Sequence, residues 1–307
     1  LDAQFDTDNK ANQGANDGLK QWNYTNLDTW AQELKLSSKN QNIKWITGIY
    51  LDKEDRNQGP YGYEQDYYGA VYAGDTYSTT NSKTQAIFGQ TMIPLGKSFE
   101  LTLGARYQKI KKEIDLIGTS YWGGLPFPDL TYQDEKDWNS FLPKVAVSKK
   151  FDDKLTTYIS ASKGYLPGGY NNFASSGTEK ENRFDAQTSI NYEIGVKDSF
   201  LNDNLVLAGS IFYLDIEDIH VYSTDRTTGM MYTSNAGQAD SKGIELEIAY
   251  SINNNWKVDT SIGVMKARYS NYVDSNLGDN KNNKIERTPS HSANLGLSYY
   301  SNSGFYG

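Results

Sequence analysis

Apolar and polar residues alternate one for one along much of the chain. In one stretch, Ile244, Leu246 and Ile248 alternate with Glu245 and Glu247. Comparable stretches begin at Phe99, Thr188 and Trp256. Successive side chains of a β-strand point to opposite faces, so a period of two residues predicts strands with one apolar and one polar face. Helix signals are nearly absent, and the chain is predicted to be all-β.

The connections between the predicted strands are alternately short and long. The short ones consist of Asn, Asp, Lys, Ser and Gly, as tight hairpins require, and they lie near Ser38–Asn42, Pro94–Ser98, Lys149–Lys154, Phe200–Asn204, Ser251–Asn255 and Ser301–Gly304. The long ones are polar and cover residues 55–81, 114–137, 166–185, 222–237 and 272–285. In an up-and-down barrel every second connection lies at the same rim, so one rim should carry tight turns and the other the long stretches. A Greek-key sandwich gives no reason for this alternation.

This pattern predicts an antiparallel up-and-down transmembrane β-barrel with about 11–12 strands, each of about 12–18 residues. The mean hydropathy is −0.70, and no apolar run approaches the ~20 residues that a spanning helix needs. A barrel tolerates such a sequence because only every second strand residue meets lipid. No linker divides the strands, so residues 1–307 are predicted to form one barrel domain.

The aromatic residues are biased towards tyrosine, with 24 Tyr against 11 Phe and 6 Trp. Tyrosine suits the girdles of a membrane barrel, where a ring needs an apolar body and a wet end. A tyrosine-rich binding protein in water has the same composition. A soluble β-rich lectin or adhesin and a passive porin therefore remain alternatives to a membrane receptor.

The residue types that catalysis and metal binding require are scarce. The chain has no cysteine, which excludes thiol catalysis and a cysteine zinc site. Its only histidines are His220 and His291, on separate predicted strands, so a metal centre or a Ser-His-Asp triad is hard to build. The net charge of −8 argues against nucleic acid as a partner. We expect neither an enzyme nor a resident metal or cofactor.

Several stretches resemble the barrel of TonB-dependent outer-membrane receptors, in the family's order along the chain. The strongest is 235–247, NAGQADSKGIELE, which is similar to the family pattern N-A-G-x-A-x-S-x-G-x-E-x-E. The others are FLPK at 141–144, SKGYLPGGYN at 162–171, NYEIGVK at 191–197, FYLDIEDI at 212–219 and QELKL at 32–36. One departure is His220, where the family usually has Gln. Within the family, these motifs most resemble the siderophore receptors of the pesticin and yersiniabactin type.

The resemblance implies where the protein works and with what. Family members lie in the outer membrane of Gram-negative bacteria, in contact with lipid and lipopolysaccharide. A globular plug fills the barrel and carries the segment grasped by TonB, the inner-membrane energy protein. Nothing in this chain resembles the plug. Family barrels have roughly 22 strands, so we expect a partial barrel without its plug.

The implied function is energy-coupled uptake of a ferric siderophore or a similar iron chelate, with the chelate as cargo and not as cofactor. Receptors for cobalamin, haem, thiamin or oligosaccharides share the barrel and stay open as alternatives. The long stretches are predicted to be extracellular loops, and their aromatic side chains suit a planar, partly apolar chelate. The candidate ligand-binding residues are Tyr61, Tyr63, Tyr67, Tyr68, Tyr121, Trp122, Phe127 and Tyr132. Among them Tyr121 and Trp122 are expected to be the best anchors, beside the flexible pair Gly123-Gly124.

The alternation also predicts which way one strand faces. Ile244, Leu246 and Ile248 should face lipid, whereas Glu245 and Glu247 should face the lumen.

Overall fold

The protein is described by a computed structural model that covers residues 2–9, 19–39, 42–67, 70–172, 182–224, 231–274, 278–301 and 303–304. The strands are, in chain order, β1 (Asp2–Asn9), β2 (Leu19–Ser37), β3 (Lys44–Tyr67), β4 (Ala70–Leu95), β5 (Phe99–Trp122), β6 (Leu125–Pro126), β7 (Leu130–Lys150), β8 (Thr156–Leu166), β9 (Gly169–Tyr170), β10 (Arg183–Phe184), β11 (Gln187–Phe200), β12 (Leu205–Glu217), β13 (His220–Thr224), β14 (Met231–Asn235), β15 (Gln238–Ser251), β16 (Trp256–Asn271), β17 (Val273–Asp274), β18 (Gly278–Asp279) and β19 (His291–Tyr299). Within these ranges, no helix is long and apolar enough to cross a membrane, a result that does not bear on crossing by strands.

One antiparallel sheet contains the long strands in the order β1-β2-β3-β4-β5-β7-β8-β11-β12-β15-β16-β19. Each long strand pairs with the next long strand along the chain, which confirms the up-and-down topology. The about 11–12 strands expected from the sequence correspond to the twelve strands on this path. The short strands β9 and β10, β13 and β14, and β17 and β18 form three separate two-stranded sheets.

The strands in the first half of the sheet are longer than predicted. β3, β4 and β5 contain 24, 26 and 24 residues, so most of stretches 55–81 and 114–137 is hairpin strand and not loop. The reason is that these polar stretches keep the two-residue alternation, and their side chains bond across strands. Thr79 Oγ1 donates to Asn57 Oδ1 at 3.0 Å, for example, and such cross-strand pairs stabilise a sheet without a core.

The short turns lie where the sequence places them. β4 and β5 are joined by residues 96–98, β11 and β12 by residues 201–204, and β15 and β16 by residues 252–255. Positive φ angles at Gly96 (75°) and at Leu201, Asn202 and Asp203 (54–67°) reverse the chain within a few residues. All three turns lie at the same rim, because an even number of antiparallel strands of the sheet separates each turn from the next.

The two faces of the sheet differ in chemistry. Cross-strand register puts Ile211, Ile244 and Val264 side by side on one face, and Ile244 remains 57% exposed. The other face carries Glu245 and Glu247. The face with the glutamates is the concave one, because a hydrogen bond from Asn172 to Gln58, a β3 residue, crosses it. The predicted orientation of this strand is therefore confirmed: isoleucine and leucine lie outside, and glutamate lies inside.

Aromatic rings lie over glycines on the inner face. A Cβ atom at Gly243 would lie 2.7 Å from the Phe212 ring and 2.6 Å from the carbonyl oxygen of Val264. Tyr158 covers Gly195 in the same way and donates its hydroxyl proton to Glu193. The inward apolar residues of β12 thus have partners: Phe212 covers a glycine of β15, and Ile216 belongs to a buried cluster with Ile219, Val221 and Ala239.

Candidate functional site

The inner face is lined by an additional layer of chain at the rim opposite the short turns. Two short hairpins form this inner layer: β9 with β10, and β13 with β14. The segment that leaves β8 breaks from the wall at Pro167, and Gly168 lies so close to the Trp138 ring that a Cβ atom there would be 2.6 Å from it. The layer thus begins at Pro167 and Gly168, because proline has no backbone N–H to donate to a neighbouring strand and glycine fits beside the bulky Trp138 ring.

Backbone and amide hydrogen bonds hold the two hairpins together. The side chain of Asn171, a buried residue, donates to the carbonyl oxygen of Thr233 and accepts from its amide, both at 2.9 Å. Asn235 donates to the carbonyl oxygens of Asp185 and Asp218, each at 2.9 Å. The asparagines of the PGGYN and NAG motifs therefore have a structural role: they join the two hairpins into one layer.

Ion pairs fasten the layer to the wall. Arg183 Nη1 lies 2.8 Å from Asp134 Oδ2, and Lys136 pairs with Asp185. Burial disfavours ionisation of Asp134, but hydrogen bonds from Arg183 and Tyr132 outweigh that cost and keep the pKa of its carboxyl below the usual value. The hydrogen bond from Lys136 likewise lowers the pKa of Asp185. Both carboxylates are charged at neutral pH, and each holds a cation of the opposite layer.

A third cation, Lys112 of the wall strand β5, is half-buried under the layer. Its ammonium group donates to the carbonyl oxygen of Gly168 at 2.8 Å, and burial lowers its pKa. Together with Arg183 and Lys136, it gives the mouth a group of basic side chains on the inner face.

Aromatic rings pack around these charges. The Tyr170 ring lies 6.4 Å from that of Tyr132 and 6.1 Å from that of Trp138, in tilted and edge-on arrangements. The rings of Phe184 and His220 are 4.9 Å apart. Burial lowers the pKa of His220, which is therefore predominantly neutral at neutral pH. These side chains are called the mouth cluster. Its members are Lys112, Tyr132, Asp134, Lys136, Trp138, Tyr170, Arg183, Phe184, Asp185 and His220. The mouth cluster combines apolar surface, planar rings and ion pairs in one place.

The residues that the sequence predicted as ligand contacts lie in different environments in the structure. Tyr132 is 7% exposed and donates to Asp134 at 2.9 Å, and burial raises its pKa to about 12. It is a packed residue of the mouth cluster. Tyr121 and Trp122 are consecutive strand residues and project to opposite faces of the β5–β6 hairpin, with Trp122 on the inner side by register. Phe127 is half exposed beyond this hairpin.

The remaining predicted contacts are in or beside β3. A register shift between Gln58 and Tyr61 moves Tyr61 to the inner face, opposite Thr76. Tyr63 and Tyr67 belong to the same strand, and Tyr68 lies outside the described residues. Tyr61, Tyr63 and Tyr67, which were expected on a loop, are thus strand residues, since the strand continues beyond its predicted end.

Sequence reasoning missed several members of the mouth cluster. These are Lys112, Lys136, Trp138, Tyr170, Arg183 and Phe184. A signal existed for the wall residues, because Lys112, Lys136 and Trp138 have the same alternation parity as the lumenal side chains of their strands. Tyr170, Arg183 and Phe184 had no such signal, as they belong to segments that leave the sheet. Among the described residues, no group of His, Asp and Glu could hold a metal ion.

Comparison with known proteins agrees with this architecture. The family model described as "TonB dependent receptor-like, beta-barrel" matches residues 2–307. The chain belongs to the TonB-dependent receptor family. The structure of the ferric yersiniabactin uptake receptor of Yersinia pestis superposes with a TM-score of 0.74 at 21% identity, over 96% of this chain and 43% of that one. That likeness supports the fold of a partial barrel.

Two curated proteins are similar in sequence. The pesticin receptor of Yersinia enterocolitica is 28% identical over 192 residues, which are 62% of this chain and 27% of that protein. The catecholate siderophore receptor Fiu of Escherichia coli is 26% identical over 247 residues, which are 75% of this chain and 32% of that protein. The matched part of this TonB-dependent receptor chain thus spans about a third or less of either relative. Proteins of this family are receptors and transporters of the outer membrane, not enzymes.

Proposed function

We propose that this chain is the barrel part of a receptor that imports a ferric siderophore or a similar iron chelate, powered by TonB through a plug domain. The mouth cluster carries the proposal. Its rings suit a planar, partly apolar chelate. The names of the similar proteins, a ferric yersiniabactin receptor and a catecholate receptor, support the same class of cargo.

No covalent chemistry is required of the barrel in this mechanism. The chelate binds from outside against inner-face aromatic residues, the plug rearranges, and TonB draws on the plug to open a path. The inner layer narrows the mouth and positions the rings. Trp122 and Tyr61 extend the aromatic surface outwards along the inner wall, above the layer.

The proposal is tested by equilibrium binding to the purified full-length receptor. The probes are a ferric catecholate, a ferric hydroxamate and ferric yersiniabactin, with cobalamin and haem as the rival cargo. Trp122→Ala is expected to weaken binding of the preferred chelate by about tenfold or more, since an aromatic anchor contributes about 2 kcal/mol. Tyr121→Ala is the matched control: it removes an adjacent aromatic side chain from the opposite face of the same hairpin.

The outcomes distinguish the class of cargo and the face of the hairpin that binds it. Binding of a ferric chelate that depends on Trp122 and not on Tyr121 supports the proposal. Binding of cobalamin or haem in place of every ferric chelate would overturn the cargo class. Equal losses from both variants would show that the hairpin acts as a whole and that the inner-face assignment of the site is wrong.

A further inference from the structure

The basic side chains of the mouth cluster are each engaged by a group of the protein itself. Arg183 contacts Asp134 at 2.8 Å, and Lys136 pairs with Asp185. The third cation, Lys112, donates to a backbone carbonyl oxygen of the inner layer at 2.8 Å. A ligand that enters the mouth therefore meets cations that already have partners.

The charges around the mouth cluster also balance. Glu54 and Arg56 of β3 lie close to Lys112 and contact each other at 3.2 Å. Asp218 lies close to His220, which is predominantly neutral. Among the described residues of this region, the three cations of the mouth cluster and Arg56 are thus matched by the two carboxylates of the cluster, Glu54 and Asp218. The region as a whole carries no net charge.

The most accessible charge of the two ion pairs is negative. In the pair of Lys136 with Asp185, the carboxylate side chain is 62% exposed and the lysine side chain is 27% exposed. The side chains of Arg183 and Asp134 are 21% and 20% exposed. Both cations are therefore less accessible to a ligand than the Asp185 carboxylate.

An anion could bind one of these cations only by taking it from its partner. If Arg183 turned to a ligand, the Asp134 carboxylate would stay mostly buried without its cation, and a buried charge that loses its partner is strongly destabilising. If Lys136 turned away, Asp185 would be left to repel the same anion. Proteins recognise anions through charge-assisted hydrogen bonds from Arg and Lys, and here carboxylates already accept those bonds.

Aromatic rings form the rest of the mouth cluster. The rings of Trp138 and Tyr170 pack edge-on at 6.1 Å, and those of Phe184 and His220 at 4.9 Å. Such rings favour contact with apolar ligand surface. A multiply charged anion would lose hydration against them without gaining a cation in exchange. The mouth therefore suits a ligand that combines apolar surface with little charge.

We infer that the cargo is an electroneutral ferric chelate, of the trihydroxamate charge type and not of the tris-catecholate type. Three hydroxamate groups neutralise ferric iron, whereas three catecholates leave the complex with three negative charges. Asp185 is the residue that sets this selectivity, because its exposed carboxylate both pairs with Lys136 and repels an anion at the mouth. The inference rests on the proposed function, import of a ferric chelate, and adds the charge of the cargo to it.

The test is equilibrium binding of a matched pair of ferric chelates to the purified full-length receptor. Ferric N-acetyl-desferrioxamine B is neutral, and its N-succinyl analogue has the same iron centre and one negative charge. A ferric tris-catecholate is the third probe. Asp185→Asn keeps the shape of the side chain and removes its charge, whereas Asp185→Glu keeps the charge. Asp153→Asn is the control, since it removes an exposed carboxylate from the turn after β7, at the opposite rim.

The wild type should bind the neutral chelate about tenfold more tightly than the succinyl analogue, because a like charge near a partly buried carboxylate has an effect of that order. Asp185→Asn should reduce this ratio to about threefold or less, and Asp185→Glu and Asp153→Asn should keep it. A purely structural role of Asp185 would weaken both chelates together, and an unchanged ratio in Asp185→Asn would therefore overturn its assignment. Equal or tighter binding of the succinyl analogue or of the tris-catecholate would overturn the inference and leave the proposed function intact.

A second measurement decides the case in which neither desferrioxamine binds. The ferric chelate that binds best is then titrated between about 0.05 and 0.5 M salt, where affinity for an anion falls and affinity for a neutral ligand stays within about twofold. A constant affinity supports the inference, and an affinity that falls with salt overturns it. Binding of cobalamin or haem in place of every ferric chelate would instead overturn the proposed function itself, and this inference with it.

Discussion

The two halves of the sheet end differently at the rim that is opposite the short turns. Between β3 and β7 the wall itself continues outwards as long paired strands. After β8 the chain leaves the wall and folds inwards as the layer of β9, β10, β13 and β14. Both regions are polar, so polarity does not determine whether the chain continues the wall or folds inwards. Residues 70–95 keep alternating side chains that pair across strands, whereas Pro167-Gly168-Gly169 removes a backbone donor and two side chains at once.

The comparison also separates two means of stabilisation. The extended wall depends on backbone ladders and exposed cross-strand pairs. The inner layer depends on a few half-buried contacts, above all Arg183–Asp134 and the Asn171–Thr233 hydrogen bonds. The layer should therefore respond strongly to single substitutions that leave the wall intact.

The largest effect is expected where the outward face meets lipid. Leu246 stands midway along the outward apolar row of β15, between Tyr250 and Lys242, so Leu246→Arg should lower the free energy of unfolding by about 2–4 kcal/mol. Thr131→Arg, on the outward face of the extended wall, should change it by less than about 0.5 kcal/mol. Guanidinium-induced unfolding of the full-length receptor in lipid measures both. Similar losses at the two sites would contradict the expectation that Leu246 faces lipid and Thr131 faces water.

A smaller loss is expected at the crowded glycines of the inner face. Gly243→Ala places a methyl group 2.6 Å from the Val264 carbonyl oxygen, a backbone atom that cannot move freely, and should cost about 1–3 kcal/mol. Gly104→Ala is the control, since its methyl group would make an ordinary 3.5 Å contact with Gln90. The same unfolding measurement applies. Equal stability of the two variants would mean that the Phe212 ring and the backbone adjust at little cost.

Removing one ion pair should loosen the inner layer alone. Arg183→Gln leaves the Asp134 carboxylate half-buried without its cation, at a local cost of about 1–3 kcal/mol. Hydrogen–deuterium exchange should show faster exchange in residues 169–172 and 182–186, with β4 and β5 unchanged. Lys154→Gln, which removes a distant cation at 3.9 Å from Asp203, should alter neither region. Faster exchange throughout the wall would show that the two regions open together.

Low pH should also loosen the inner layer before the wall, without a mutation. The folded-state pKa values of Asp134 and Asp185 lie below the ordinary value of 3.8. Their contribution to stability is therefore complete above about pH 3.8 and is lost as the pH falls from there through the folded-state values. Protection factors of the inner layer, corrected for intrinsic exchange rates, should fall over that range before those of β4 and β5. Constant protection of the layer down to pH 2 would exclude a role for these carboxylates.

The sequence by itself determined the wall. Alternation identifies the strands, their faces and the short turns, because each of these properties follows from residues that are adjacent in the chain. It placed Glu245 inside and Leu246 outside correctly. It did not give the upper ends of β3, β4 and β5, because a polar stretch with alternation satisfies its backbone as well in a hairpin as in a loop.

Only the tertiary structure decided the contents of the mouth. Asn172 meets Gln58 across 114 positions of sequence, and Arg183 meets Asp134 across 49. Such contacts depend on how the wall curves and where a segment leaves it. The two-residue alternation of the sequence contains no information about either property. Cross-strand register likewise brings Lys53, Lys83 and Lys111 side by side, although each lysine is ordinary in its own strand.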